Sequence, residues 1–241
     1  MKRSYILVID SGLGGISVLK KLKDVFVNES FIYLADNSIS PYGNKTKKVL
    51  KQHILKLINE YMQKYSIKLI IFACNTLTAT TINFVRKNIP IKIVGTEPPI
   101  KCVQNNKNTL VLATNGTIKY SKLLKRYKNN KQFTFVPLKN IATFLDNDFI
   151  NREEIIKGLK RQIPKNNYKN VVLGCTHYYF IKKEISKVLY GKIKFYDAIK
   201  GIIKQVKKVL PKTKSKKQTI KIHTSKYNKH LKSFLKYALN N

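Results

Sequence analysis

The sequence predicts an α/β fold: two similar α/β domains with mainly parallel sheets. Three observations carry this. Short apolar runs rich in β-branched residues alternate with longer helical stretches, the order in which parallel strands and crossover helices follow one another. A strand that ends in a small polar turn before a helix comes twice in each half of the chain. With 241 residues and 43% hydrophobic content, there is enough apolar material for one large core or two small ones.

In chain order, the predicted strands are Tyr5 to Ile9, Phe31 to Leu34, Lys68 to Ala73, Lys92 to Val94, Thr109 to Ala113, Phe133 to Pro137, Asn170 to Leu173 and Lys194 to Tyr196. Between them the pattern predicts helices over Val18 to Asp24, Lys45 to Tyr65, Leu77 to Lys87, Ile118 to Tyr127, Arg152 to Gln162 and Phe180 to Leu189. The halves read as a coarse duplication. The first runs strand, DSGLGG, helix, then strand, ACNT, helix; the second runs strand, ATNGT, helix, then strand, GCTH, helix. Asp10 and Cys74 lie 64 residues apart, and Thr114 and Cys175 lie 61 apart. GTEPPI breaks the pattern near Thr96, so the expected domains are 1–96 plus 208–241, and 97–207. Lys-rich VLPKTKSKKQ, 209–218, reads as a linker, and a last helix over Tyr227 to Leu239 is expected to pack back on the first domain.

The formal charge is +36, from 48 Lys and Arg against 12 Asp and Glu. Such a field would attract nucleic acid or anionic surfaces. Its distribution argues otherwise: Ser4 to Leu19, Leu69 to Val85, Asn108 to Ile118 and Val171 to Ile181 carry no Lys or Arg. Elsewhere lysine is sprinkled among Asn, Ile and Tyr, without the aromatic interleaving of a single-strand groove or a helix-turn-helix pattern. A solvated surface rich in Lys explains this better than a nucleic-acid partner. No stretch is long and apolar enough for a membrane span, and the N-terminus reaches Asp and Gly too soon for a secretory leader. A cytoplasmic protein is expected. Three cysteines without a CxxC pair, and four scattered histidines, give neither a disulfide framework nor a metal cluster.

Two cysteines, Cys74 in FACNT and Cys175 in LGCTH, each follow a buried strand and precede a helix. The free N–H groups and dipole of a helix start favour a thiolate and an adjacent anion, which predicts lowered thiol pKa values. Asn75, Thr76 and Thr176 are residue types that cap such a start or hold a carboxylate. Two thiols facing each other across a crevice suit proton removal from one face of a carbon and return to the other. Covalent catalysis would need one cysteine only. DSGLGGIS, 10–17, is a glycine-rich strand-to-helix turn that matches neither GxGxxG nor the Walker pattern; Asp10 and Ser11 could orient a ligand there or simply cap the helix.

VIDSGLGGISVLKKL, ADNSISPYGNKT, FACNTLTATT, VGTEPPIK, LATNGTIKYS and VLGCTHYYFIKKE, in that order, resemble the glutamate racemase family of cofactor-independent aspartate/glutamate racemases. The resemblance covers essentially the whole chain. It implies a two-domain α/β fold with the active site in the cleft between the domains, and an isomerase that interconverts L- and D-glutamate without pyridoxal phosphate or metal, supplies D-glutamate for peptidoglycan and forms a homodimer. On the matching positions it implies that Cys74 and Cys175 are the acid-base pair, and that Asp10, Ser11, Tyr42, Gly43, Asn75, Thr76, Thr176 and His177 bind substrate. Asp36, Glu97, Thr114 and Thr117 fit their motif contexts, whereas Cys102 matches nothing and is expected in the core. Two departures stand out. Lys139 and Asn140 occupy the place where the family usually has an acidic residue, and Tyr179 stands where it has proline. Aspartate or another amino acid remains an alternative substrate, since one methylene is worth only about 1–3 kcal/mol of discrimination. A basic nucleic-acid-binding protein is the alternative from another class.

Overall fold

A computed structural model describes residues 3–147, 149, 151–211 and 217–240. Five parallel strands form the first sheet: β1 (Ser4–Asp10), β2 (Ser30–Ala35), β3 (Ser66–Phe72), β4 (Ile93–Gly95) and β9 (Ile220–Thr224), in the order β4-β3-β1-β2-β9. Four more form the second: β5 (Thr109–Ala113), β6 (Phe133–Pro137), β7 (Asn170–Gly174) and β8 (Lys194–Tyr196), in the order β6-β5-β7-β8, again parallel. The central strands are buried on both faces, which is why β1 and β5 read as unbroken apolar runs rather than alternating ones.

The strand order places the crevices. β1 lies between β2 and β3, and β5 between β6 and β7, so each sheet has a point where successive connections leave in opposite directions. Open parallel sheets bind ligands outside the carboxyl ends of strands at such points. Asp10 ends β1, Cys74 follows β3 by two residues, Thr114 follows β5 and Cys175 follows β7.

Helices cover the sheets: α1 (Ile16–Val25), α2 (Lys47–Lys64), α3 (Asn75–Asn88), α4 (Asn115–Tyr120), α5 (Lys122–Arg126), α6 (Ile141–Asn147), α7 (Arg152–Gln162), α8 (Lys182–Leu189), α9 (Ile199–Val209) and α10 (Lys229–Asn240). Thr46, Thr114 and Asn151 cap α2, α4 and α7 by accepting from the N–H three residues on. One apolar cluster runs from Ile6 and Val8 of β1 through Leu110 and Val171 of the second sheet to Leu231, Leu235 and Leu239 of α10, so the two lobes share packing. α10 packs against α1, β9 and α6.

Several expectations need correction. The predicted helix Ile118 to Tyr127 is two helices, because Ser121 adopts an extended conformation and its hydroxyl accepts from Leu124 N–H to start α5 afresh. The helix expected from Phe180 begins at Lys182, after a 3-10 turn over Thr176–Ile181. Cys102 is exposed in the 3-10 turn Ile100–Val103, not in the core, since that turn aims Ile100 and Val103 inward instead. β9, α6 and α9 lie outside the predicted elements. Residues 212–216 of the predicted linker lie outside the described residues. Among the described residues, no helix is long and apolar enough to cross a membrane.

Candidate active site

Both cysteines line one cavity between the lobes, together with Ser11, Tyr42, Gly43, Asn75, Thr76 and His177. Two of the predicted binding residues sit just behind this lining. Asp10 is fully buried beneath it, and Thr176 donates its hydroxyl proton to Asp10 Oδ2 at 3.0 Å. That bond joins the end of β1 to the turn after β7. The other bridge is a threonine cluster, in which Thr76 Oγ1 lies 2.7 Å from Thr114 Oγ1 and 3.1 Å from Thr117 Oγ1.

Cys74 is the N-cap residue of α3, extended at φ −73° and ψ 123°, with Ser11 Oγ 3.8 Å from its sulfur. Cys175 Sγ lies 3.7 Å from His177 Nδ1, before a 3-10 turn rather than an α-helix. The expected depression of the thiol pKa is not found at Cys74. Burial pushes it well up, and the Asp10 charge adds to that, against the helix-start N–H of Leu77, which favours the thiolate. Desolvation outweighs the dipole because Cys74 is only 7% exposed. Asp10 is itself raised by burial, although His177, the Gly12 N–H and Thr176 pull the other way.

The acid missing from positions 139 and 140 is supplied from elsewhere. Asp146, on α6, accepts from His177 Nε2 at 2.9 Å and, with the same Oδ1, from the Leu13 N–H at 2.9 Å. It also lines the cavity. Burial alone would push the His177 imidazolium pKa down, but the charge and hydrogen bond of Asp146, with Cys175, hold it well above the ordinary histidine value. Sequence reading passed over Asp146 because it passed over α6. A signal was present: Ile141 and Leu145 fall four apart and are both buried, which is a helical spacing, and the chain has only 12 acidic residues to spend.

The DSGLGG turn is explained by the approach of the second lobe. A Cβ on Gly12 would stand 2.3 Å from Asp146 Oδ2, and one on Gly14 would stand 2.4 Å from Thr176 Oγ1 and 2.7 Å from His177 N. Only glycine lets Asp146, Thr176 and His177 close onto the first lobe here. Of the other motif residues, Asp36 is buried beneath Tyr42, while Thr114 reaches the cavity. Among the described residues, no group of three or more His, Cys, Asp or Glu side chains is arranged to hold a metal ion.

No protein-family model matches the chain. The glutamate racemase of Clostridium kluyveri is 37% identical over 238 residues, covering 92% of each chain. Glutamate racemase 2 of Bacillus subtilis is 34% identical over 212 residues, covering 83% of this chain and 80% of its own. This chain belongs to the glutamate racemase family. As a member of it, the chain is an amino-acid racemase, an isomerase. The crystal structure of the family member from Campylobacter jejuni superposes with a TM-score of 0.82 at 25% identity over 98% of both chains. That of Francisella tularensis, solved in complex with D-glutamate, gives 0.81 at 25% identity over 100% of this chain and 95% of its own. The two-lobed α/β architecture is therefore the family's.

Proposed function

We propose that this racemase interconverts L- and D-glutamate by two-base proton transfer, with Cys74 and Cys175 as the two bases. The observation that carries the reading is that both cysteines line one inter-lobe cavity from the carboxyl ends of strands in different sheets. One cysteine, as thiolate, takes the Cα proton and becomes a thiol. The electron pair left behind is delocalised into the substrate carboxylate. The opposite cysteine, as thiol, delivers its proton to the other face and becomes the thiolate, so the sulfurs have exchanged roles and the substrate has inverted. The net charge is unchanged.

An amino acid's Cα–H is a very weak acid, so the developing charge needs preorganised donors. Ser11, Asn75 and Thr76 at the start of α3, with Thr176 at the turn after β7, are the groups proposed to hold the carboxylates. Asp10 is proposed to face the substrate ammonium. That pairing would relieve the like-charge pressure Asp10 exerts on Cys74, so binding itself would bring the thiol toward its working range. His177, held as an imidazolium by Asp146, places its Nδ1 3.7 Å from Cys175 Sγ. Tyr42 and Gly43 close the mouth. The domains are proposed to divide as 1–96 plus 208–241 and 97–207, and the D-glutamate formed is proposed to supply peptidoglycan synthesis.

The test is substitution of each thiol separately. Cys74→Ala and Cys175→Ala should each abolish inversion of L-glutamate as followed by optical rotation. Full activity in either variant would rule out the two-base scheme.

A further inference from the structure

One buried carboxylate has no part in the proton transfer. Asp36 directly follows β2, with its N–H donated to the Asp10 carbonyl at 2.7 Å, and it is fully buried. Its side chain accepts from three donors: the Tyr42 hydroxyl, His53 Nε2 at 2.5 Å and the Ser38 hydroxyl at 2.9 Å. Burial opposes the charged form, but the hydrogen bonds from His53 and Tyr42 help overcome this and hold the carboxyl below its ordinary range. Asp36 is thus an ionised acceptor that needs its donors.

The donors connect unlike places. His53 sits on α2 with 24% of its side chain exposed. Tyr42 is 2% exposed and opens the 3-10 turn Tyr42–Asn44 at the cavity mouth. Gly43, next in that turn, meets the second lobe: a Cβ on Gly116 would stand 3.2 Å from Gly43 Cα, and one on Gly43 would stand 3.4 Å from Thr114 Cβ. A continuous path therefore runs from the surface of α2 through Asp36 and the Tyr42 hydroxyl to the edge of the cavity.

We propose that His53 is a positioning residue: through Asp36 and Tyr42 it fixes the Tyr42–Gly43 turn against the second lobe and so sets how tightly substrate is held. The inference rests on the reading of this cavity as the racemase site. His53 does not line the cavity, and in the scheme proposed above the Tyr42–Gly43 turn has a part in binding but none in proton transfer. Loosening it removes uniform binding, which appears in KM rather than kcat.

The experiment is steady-state racemisation of L-glutamate by the full chain, comparing wild type with His53→Ala, His53→Gln, His53→Asn, Tyr42→Phe and the His53→Ala/Tyr42→Phe pair. His53→Ala should raise KM roughly tenfold with kcat within about threefold, the loss expected of one hydrogen bond to a buried charge partly replaced by water. His53→Gln, whose amide nitrogen reaches Asp36 as Nε2 does, should restore KM to within about threefold, and the shorter Asn should not. The double variant should raise KM by clearly less than the product of the single effects, because both act through one carboxylate. An unchanged KM in His53→Ala, a loss confined to kcat, equal behaviour of Gln and Asn, or strict multiplication in the double variant would each overturn the inference. Wild-type turnover decides the racemase reading and the KM ratios decide this one, so the two fail separately.

Discussion

Gly14→Ala tests the way the lobes meet. The added methyl would stand 2.4 Å from Thr176 Oγ1, 2.6 Å from His177 Nδ1 and 2.7 Å from His177 N, where ordinary contact begins at 3.4 Å. The hydroxyl would have to retreat by about 1.0 Å and the backbone by about 0.7 Å. A rotamer change can relieve the first, but the backbone nitrogen can yield only if the turn after β7 moves. That turn carries Cys175 and His177 together, so Cys175 shifts with it. A displacement near 1 Å at a reacting group costs on the order of 10² in rate, and overpacking costs roughly 1–3 kcal/mol of stability. The expected result is a kcat/KM lowered by on the order of 10²-fold with a folded protein. Gly201→Ala is the matched control: Gly201 is inside α9 with nothing within 4 Å of an added Cβ. It should keep full activity and gain roughly 0.4–1 kcal/mol in urea melts. Gly14→Ala within about threefold of wild type would show that the close approach has no bearing on proton transfer.

Asp146→Asn keeps the shape that accepts from His177 and Leu13 but removes the charge, so the His177 pKa should fall, visible as an earlier deprotonation of its ring in NMR titration. The folded-state pKa of His177 is raised, so its contribution to stability is complete below the unfolded value of about 6.5 and fades as pH climbs through the folded value. The stability gap between wild type and Asp146→Asn in urea melts should therefore be widest at acidic pH and narrow on the alkaline side; a gap that grows with pH would contradict the assignment. Leu235→Ala, at a fully buried position of α10, should cost roughly 2–5 kcal/mol in the same assay, and less than 1 kcal/mol would mean that α10 is not part of the shared core. Thr76→Val removes the hydroxyl that bridges to Thr114 and Thr117 at nearly constant volume and should lower kcat/KM by more than it lowers stability, which parallel melting and activity measurements would separate.

The parts of this fold that could be read in the sequence are those whose residues face apolar surroundings on both sides. β1, β3, β5 and β7 are apolar over most of their length, and Asp10, Cys74, Thr114 and Cys175 lie at or just past their ends. β9 escaped notice because it is the edge strand beside β2: Ile220, Lys221, Ile222, His223 and Thr224 are all half-buried and mix apolar with charged side chains. The break between α4 and α5 was passed over although Ser121 marks it, since serine favours an N-cap over a helix interior. The cavity-lining residues next to the cysteines, Asn75, Thr76 and His177, were legible from their adjacent motifs. Asp146 was not, because its relation to His177 exists only across 31 residues of chain and one packed turn. The thiol pKa at Cys74 shows a further limit. Sequence reveals that a helix begins there, but not that the sulfur is buried beside a carboxylate, and burial is the larger effect.

The most direct test follows solvent deuterium. L-glutamate incubated with the wild-type enzyme in D₂O under reducing conditions should lose optical rotation as deuterium appears at Cα of the D-glutamate formed, because the delivering thiol has exchanged with solvent before it acts. D-glutamate that retains the original Cα hydrogen throughout, or inversion that persists when Cys74 and Cys175 are both replaced by alanine, would contradict transfer between two sulfurs.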